Sequence, residues 1–486
     1  MKNILFIVIL FVFGIRVLSG QSDIPINEQK ARIAPDWITS GIIYQIQPRA
    51  FTSEGTLKAA TEKLSHVADL GATIVYLCPV FVADDGKDTI FWSPRQKASG
   101  LNNPYNPYRI KDYYHIDPEY GTENDLKEFV AEAHKLGLKV MFDLVYRHCG
   151  PNAVFLKEHP DFVRSDENGK IITNRYNWPV MNFDNPKLCE YLYSNMEYLI
   201  MAFDVDGFRF DSVLGIHYDI PVDFLETARK RMETIRPDIG MLAESRGRPE
   251  DQLKAIDVCY PGWMILDWDN IEKTEDNWRK IKNGYPQGSR FIRFIENHDI
   301  AHNGGTKRIE KVWGFKKINI GLVTILTLDG VPFLYNGQEI ADTARHNIFG
   351  PGFSINWANA ETLVGKERFT FLQKLCKIRR TEKALMYGNL KWFDNNQPKA
   401  ALSYMRTFDN DQILVVMNFS DHPLHVRLNW LGALGDRSFN PLLTEGIIGG
   451  DIQNGFEMKA YGFWVGKRIN EISYSSFLVN KTLKIK

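Results

Sequence analysis

Two carboxylates close short apolar runs in this chain: Asp211 in Gly207-Phe208-Arg209-Phe210-Asp211, and Glu244 in Met241-Leu242-Ala243-Glu244-Ser245. Alternate residues of an extended strand share a face. Arg209 and Asp211 therefore point one way, and Phe208 and Phe210 point the other way, toward covering helices. Gly207 leaves room on the Arg209/Asp211 face. A carboxylate beside a guanidinium is expected to keep a low pKa and stay ionised, as a glycosidase nucleophile must. A structural ion pair at a strand end is the competing reading. Glu244, at the end of an apolar strand, is expected to be partly desolvated, which raises its pKa and suits a general acid. A capping or salt-bridging glutamate would have the same sequence context.

Two further segments carry polar residues directly after apolar runs. In Phe294-Ile295-Glu296-Asn297-His298-Asp299, His298 and Asp299 can both reach a hydroxylated ligand, although His-Asp pairs also serve structure. In Asp143-Leu144-Val145-Tyr146-Arg147-His148, Asp143 and His148 flank a strand end. The histidines are too scattered for a zinc cluster. No Gly-x-Ser-x-Gly elbow stands between a strand and a helix, which argues against a serine hydrolase.

These residues need a scaffold that gathers strand ends. Short apolar runs alternate with helical stretches, and strands are expected at 42–47, 73–79, 139–145, 206–211, 240–244, 255–260, 290–296 and 332–335. Eight such runs predict an α/β fold, a parallel (β/α)8 barrel over residues 35–390, with an open doubly wound sheet as the alternative. One helix shows the pattern: Thr122 caps, Asp125 follows three residues on, Leu126, Phe129, Val130, Ala133 and Leu136 share a face, and Gly137 ends it. Two connections, 81–118 and 149–181, are long for barrel loops and follow strand ends, where barrel ligands bind. The second reads as a small inserted domain after strand 3, with a turn at Asp166-Glu167-Asn168-Gly169-Lys170. After about residue 390 strands are expected at 401–407, 412–418, 424–429 and 460–465, a C-terminal antiparallel β-sandwich within 391–486. The tail from Lys467 has no assigned element.

Net charge is zero, with 59 basic and 59 acidic residues, which argues against nucleic acid or an acidic membrane as partner. Lys2, the apolar run 4–13 and Val17-Leu18-Ser19-Gly20 have the form of a secretory signal over residues 1–20. The run is short for a membrane anchor. Residues 21–34 then read as a linker, and no second hydrophobic span follows. Secretion or a periplasmic location is the expectation. The five cysteines show no metal-ligand spacing and read as buried thiols, with a single disulfide as the alternative.

Taken in order, the four polar segments resemble those of the α-amylase family (glycoside hydrolase family 13), and the resemblance runs from about residue 42 to 465. It implies Asp211 as nucleophile, Glu244 as general acid/base and Asp299 as transition-state stabiliser. It implies Arg209, His148 and His298 as holders of the sugar at the cleaved bond. Tyr108, in Asn106-Pro107-Tyr108, would stack on that sugar, and Asp143 would be structural. Gly330-Val331-Pro332 through Gly337-Gln338-Glu339 is similar to the family's eighth-strand segment, and Met181-Asn182-Phe183-Asp184 to the motif ending its inserted domain. The implied activity is retaining hydrolysis of α-linked glucans or malto-oligosaccharides without an organic cofactor. A transglycosylase using the same residues and an inactive carbohydrate-binding protein are the alternatives. The chain departs from the family pattern at three places. Arg147 stands where a calcium-binding Asn is usual, Val180 where Asp is usual, and Leu214-Gly215 where a Lys-His pair contacts the leaving-group side. The usual calcium is therefore expected to be lost, with no metal ligands assigned and Arg147 in the ion's place, linking insert to barrel by hydrogen bonds and charge.

Overall fold

The computed structural model describes residues 24–215, 218–261, 270–301, 308–350, 352–429 and 439–469. The candidate signal at 1–20 and the end of the tail lie outside them. Eight strands, β1 (Ile43–Ile46), β2 (Ile74–Leu77), β3 (Lys139–Leu144), β4 (Gly207–Phe210), β5 (Gly240–Ala243), β6 (Val258–Cys259), β7 (Ile292–Arg293) and β8 (Val331–Tyr335), form one parallel sheet. Its order is β6-β5-β4-β3-β2-β1-β8-β7. A parallel bridge between Cys259 and Phe291 closes the gap between β6 and β7, so the sheet is a barrel. The sixth and seventh expected strands, 255–260 and 290–296, are each only two residues long, Val258–Cys259 and Ile292–Arg293.

Alternation along the strands separates two cores. Ile43, Ile74, Tyr76, Met141, Leu242, Val258, Ile292, Val331 and Phe333 pack inside the barrel. Phe142, Phe208, Phe210, Met241 and Ala243 belong to the layer shared with the surrounding helices. Burying each such side chain contributes about 1.5–3 kcal/mol. Gly207 has no room for a side chain: a Cβ there would come within 2.7 Å of the Gly240 carbonyl oxygen on the neighbouring strand. The helix Glu123–Lys135 has the capping box expected of Thr122 and Asp125, and Gly137 (φ +75°) turns the chain into β3.

The 149–181 segment is a bridged excursion. Its turn closes where Asp166 N–H donates to the Lys170 carbonyl at 2.9 Å. Pairs Ser165–Ile171, Thr173–Pro179, Val163–Met181 and His148–Val180 knit it together and to the end of β3. Residues 24–34, expected as a linker, lie on the barrel instead. Ala31 N–H donates to the Gln287 carbonyl and Arg32 N–H to the Gln252 carbonyl, and the Arg32 side chain pairs with Glu233 at 3.1 Å.

The C-terminal domain is an antiparallel sheet of β9 (Asn389–Trp392), β10 (Ala401–Phe408), β11 (Asp411–Asn418), β12 (Leu424–Val426), β13 (Phe439–Asp451) and β14 (Gly455–Arg468). The first part of β14 pairs with β12 and its last part with β11, with Tyr461 at φ +55° between them. One strand thus serves both halves of the fold around a core that includes Leu414, Val426, Met458 and Trp464. β14 also absorbs the start of the unassigned tail. All five cysteines are free thiols, four of them buried. Among the described residues no helix is long and apolar enough to cross a membrane.

Candidate active site

The site is organised by one guanidinium. Strand register sets Asp143 beside Arg209 on adjacent strands, and both side chains turn into the barrel mouth. Arg209 Nη1 donates to Asp143 Oδ1 at 2.7 Å and to Asp211 Oδ1 at 2.8 Å, and its Nη2 donates to Glu244 Oε2 at 2.7 Å. The two candidate catalytic carboxyls are thus tied to the two terminal nitrogens of a single planar group. A second tie comes from the backbone. Ser212, directly after Asp211, sits at φ +44°, a conformation non-glycine residues rarely adopt, and its N–H donates to Glu244 Oε2 at 3.1 Å.

Electrostatics at Asp211 differ from the sequence expectation. Burial penalises its charge, and Asp143 and Asp299 add repulsion. Together they outweigh the attraction of Arg209, so the carboxyl is raised to about 6 instead of lowered. Proximity of an arginine predicts a low pKa only where desolvation is small. Glu244 is raised as expected, first by burial and then by Asp211 and Asp299, against Arg209.

His298 is held in one tautomer. Its backbone N–H donates to Gln45 Oε1 at 3.1 Å, which turns the Gln45 amide nitrogen toward the ring, where it meets Nδ1 at 2.7 Å. Nδ1 must then accept, and Nε2 carries the proton. Nε2 lies 2.8 Å from the Tyr108 hydroxyl, which donates to Asp143 Oδ2 at 3.0 Å. Burial lowers the His298 pKa to about 4, so the ring is neutral at pH 7. The Tyr108 ring stacks on His298, with centroids 5.2 Å apart. Burial, followed by the Arg147 charge, lowers His148 to about 3. Its Nε2 bonds the Tyr108 carbonyl at 3.0 Å, leaving Nδ1 as a buried acceptor with no hydrogen-bond partner.

Asp299 forms an ion pair with Arg95, which arrives from the short helix Pro94–Ala98 in the long 81–118 connection. Burial opposes charge on Asp299, but His298 and Arg95 hold its carboxyl below the usual range. Tyr108, His148, Asp211, Glu244, His298 and Asp299 all line one cleft of about 580 Å³. Its walls include Trp178 from the 149–181 segment and Phe349 from the loop after β8. Arg209 lies beneath, 1 % exposed. The structure brings together all seven residues singled out in the sequence. A smaller cavity of about 420 Å³, between the helix Leu363–Thr381 and the C-terminal sheet, shares no residue with this cleft.

Sequence reasoning missed Gln45, Tyr76 and Arg95. Tyr76 donates to Asp143 Oδ2 at 2.6 Å and so helps fix the arginine's partner. Gln45 and Tyr76 carried one available signal, a polar atom on the inward-facing alternation of an apolar strand. Arg95 carried none. The expected hydrogen bonds from the Arg147 side chain to the 149–181 segment are not made among the described residues, and its Nε is buried without a partner.

Comparison with known proteins agrees with this geometry. The family model described as "Alpha amylase, catalytic domain" matches residues 28–170. A cyclomaltodextrinase from a Bacillus species is 25% identical, over 79% of this chain and 73% of its own length. The intracellular maltogenic amylase of Bacillus subtilis (strain 168) is 22% identical, over 84% of this chain and 73% of its own. Among solved structures, a noncanonic maltogenic α-amylase from Thermotoga neapolitana superposes with a TM-score of 0.74 at 25% identity, covering 89% of this chain and 99% of that one. With its barrel, its four ordered motifs and these likenesses, the chain is similar to the α-amylase family, glycoside hydrolase family 13, and matches that family's catalytic-domain model over residues 28–170.

Proposed function

We propose that this protein hydrolyses α-glycosidic bonds of glucans or malto-oligosaccharides with retention, through a glycosyl ester on Asp211. The observation that carries this reading is the sharing of Arg209 by Asp211 and Glu244, at 2.8 and 2.7 Å, in one sugar-sized cleft. Retaining chemistry needs a nucleophile and an acid about 5–5.5 Å apart, and a shared guanidinium keeps two carboxyls close. The ionised Asp211 oxygen attacks the anomeric carbon as the bond to the leaving oxygen breaks, and that oxygen takes the proton of Glu244. Glu244, now a base, removes a proton from water. The water oxygen attacks the same carbon, the ester bond breaks, and Asp211 leaves as a carboxylate. Asp299 serves the sugar hydroxyls, whose bonds strengthen as the ring flattens. The neutral His298 donates its Nε2–H to the Tyr108 hydroxyl and so fixes that ring in the cleft. Sugar in place of water in the second step gives transglycosylation, which product analysis at high substrate concentration separates from hydrolysis. The test is proton NMR of the first product from a panel of α-glucans and α-disaccharides. Release of the α-anomer supports the reading, and release of the β-anomer overturns it.

The residues at the usual calcium position do not fit that ion, and the proposed enzyme works without it. Arg147 puts a permanent cation there, Val180 offers no side-chain oxygen, and Asp184 is turned outward to pair with Arg164 at 2.9 Å. Calcium takes six to eight oxygen ligands. The N-terminal charge and hydropathy pattern supports export, which Edman sequencing of the mature chain tests: a start near residue 21 is expected, and an intact Met1 would contradict it.

A further inference from the structure

Four arginines, Arg95, Arg147, Arg175 and Arg246, line the cleft together with its three catalytic carboxylates. A neutral glucan is held by hydroxyl-binding groups and aromatic faces. Guanidinium charges in a cleft wall are costly to desolvate unless matched. Two of the four are near carboxylates: Arg95 pairs with Asp299, and Arg246 Nη2 lies 3.8 Å from Glu244 Oε1. Arg147 and Arg175 differ. Among the described residues neither makes an ion pair. Arg175 lies over the Tyr176 ring at 4.8 Å, and the Arg147 Nε is buried with no hydrogen-bond partner. Arg147 is also close enough to Arg175 to feel its charge. Burial first, and Arg175 next among the opposing effects, outweigh the attraction of Asp211, Glu244 and Asp219 and lower its pKa.

Gly215 is what admits this cation. A Cβ at that position would stand 2.4 Å from Arg147 Nη1 and 2.5 Å from the Tyr218 carbonyl oxygen. Any larger residue would push the guanidinium out of the space above the loop after β4. Glu244 delivers its proton to the leaving oxygen, so cations gathered beside it stand where the leaving group sits.

We propose that the preferred substrate is an α-glycoside whose leaving group carries an anionic substituent, a carboxylate or a phosphate, received by Arg147 together with Arg175 and Arg246. The inference rests on the retaining-hydrolase reading above. The guanidinium fork matches both anions in two-point contact. Proton and bond accounting is unchanged: the product leaves as an anionic alcohol bearing the proton from Glu244.

The test compares kcat/KM within two matched pairs. One is α-glucosylglycerol against α-glucosylglycerate. The other is maltose against maltose phosphorylated at O6 of its reducing glucose. At least a tenfold advantage of the charged member is expected in one pair, and the pair that shows it identifies the anion. The advantage should shrink as NaCl rises, since exposed charges are screened over about 8–10 Å at 0.1–0.15 M salt. Arg147→Met should cut the charged-to-neutral ratio at least tenfold, and Arg147→Lys should restore part of it. A purely structural arginine would lower the melting temperature and slow both members together, leaving the ratio intact. If Arg147→Met does not fold, Arg175→Met, at an exposed position, should still lower the ratio severalfold. Hydrolysis of the neutral members with no charged preference in either pair would overturn the anion site and leave the hydrolase reading standing. Failure to cleave any α-glucoside, together with failure of a fluorosugar to label Asp211, would overturn both.

Discussion

Asp211→Asn should abolish hydrolysis and at the same time stabilise the fold. The amide cannot act as nucleophile. The stabilisation follows from the raised carboxyl. Asp211 moves from an ordinary 3.8 to about 6 in the folded chain, chiefly through burial. At about 1.4 kcal/mol per pKa unit, ionising it in place costs roughly 3 kcal/mol, a figure that already includes the attraction of Arg209. An acid whose folded pKa lies above its unfolded one binds more protons folded than unfolded between the two values. Stability therefore falls as pH rises from about 4 to about 6, and the loss is complete above that. Asparagine resembles the protonated acid and escapes this cost. The variant's advantage should be near zero at pH 4, grow through pH 6 and stay level to pH 8. Calorimetric melting of both proteins across that range measures it. A variant less stable than wild type at pH 7, or an advantage that does not change with pH, would refute the argument.

The same groups shape the pH dependence of turnover. kcat/KM should fall on the acid side as Asp211 takes a proton near pH 6, and on the alkaline side as Glu244, raised by burial, loses its own; the two limbs belong to the pair, and full activity at pH 4.5 would contradict the assignment. Glu244→Gln should slow substrates with poor leaving groups far more than an activated aryl glycoside, because the latter needs less protonation; equal losses, measured with deglycosylation shown not to be limiting, would remove Glu244 as the acid. Chelation should matter little: activity and melting temperature are expected to be unchanged by EDTA, and a drop reversed by added calcium would show that a remodelled metal site exists.

All eight barrel strands were legible because each buries an apolar run, and the alternation Phe208/Phe210 against Arg209/Asp211 sorted helix side from mouth. Asp211 and Glu244 were legible because each directly follows a strand, whereas Asp299 lies past β7 in the short helix His298–Ala301 and was legible only as part of a polar segment after an apolar run. The electrostatics were not, because the weight of desolvation against the pull of Arg209 depends on how closely Asp143, Asp211, Glu244 and Asp299 are packed. Gln45 and Tyr76 were hidden in strands that otherwise read as core. Arg95 lies in the long 81–118 connection, and only the folded path of that connection brings it to Asp299. β13 escaped notice because Phe439–Asp451 contains a proline and three glycines and pairs through bulges, with little of its surface buried.

The central claim, that a covalent glycosyl ester forms on Asp211, is tested most directly by trapping it. The enzyme is incubated with 5-fluoro-α-glucosyl fluoride, digested, and its peptides sequenced by mass spectrometry. One fluoroglucosyl adduct on the Asp211 side chain is the predicted result. An adduct on another carboxylate, or no adduct from an enzyme that turns over α-glucosides with inversion, would contradict the account.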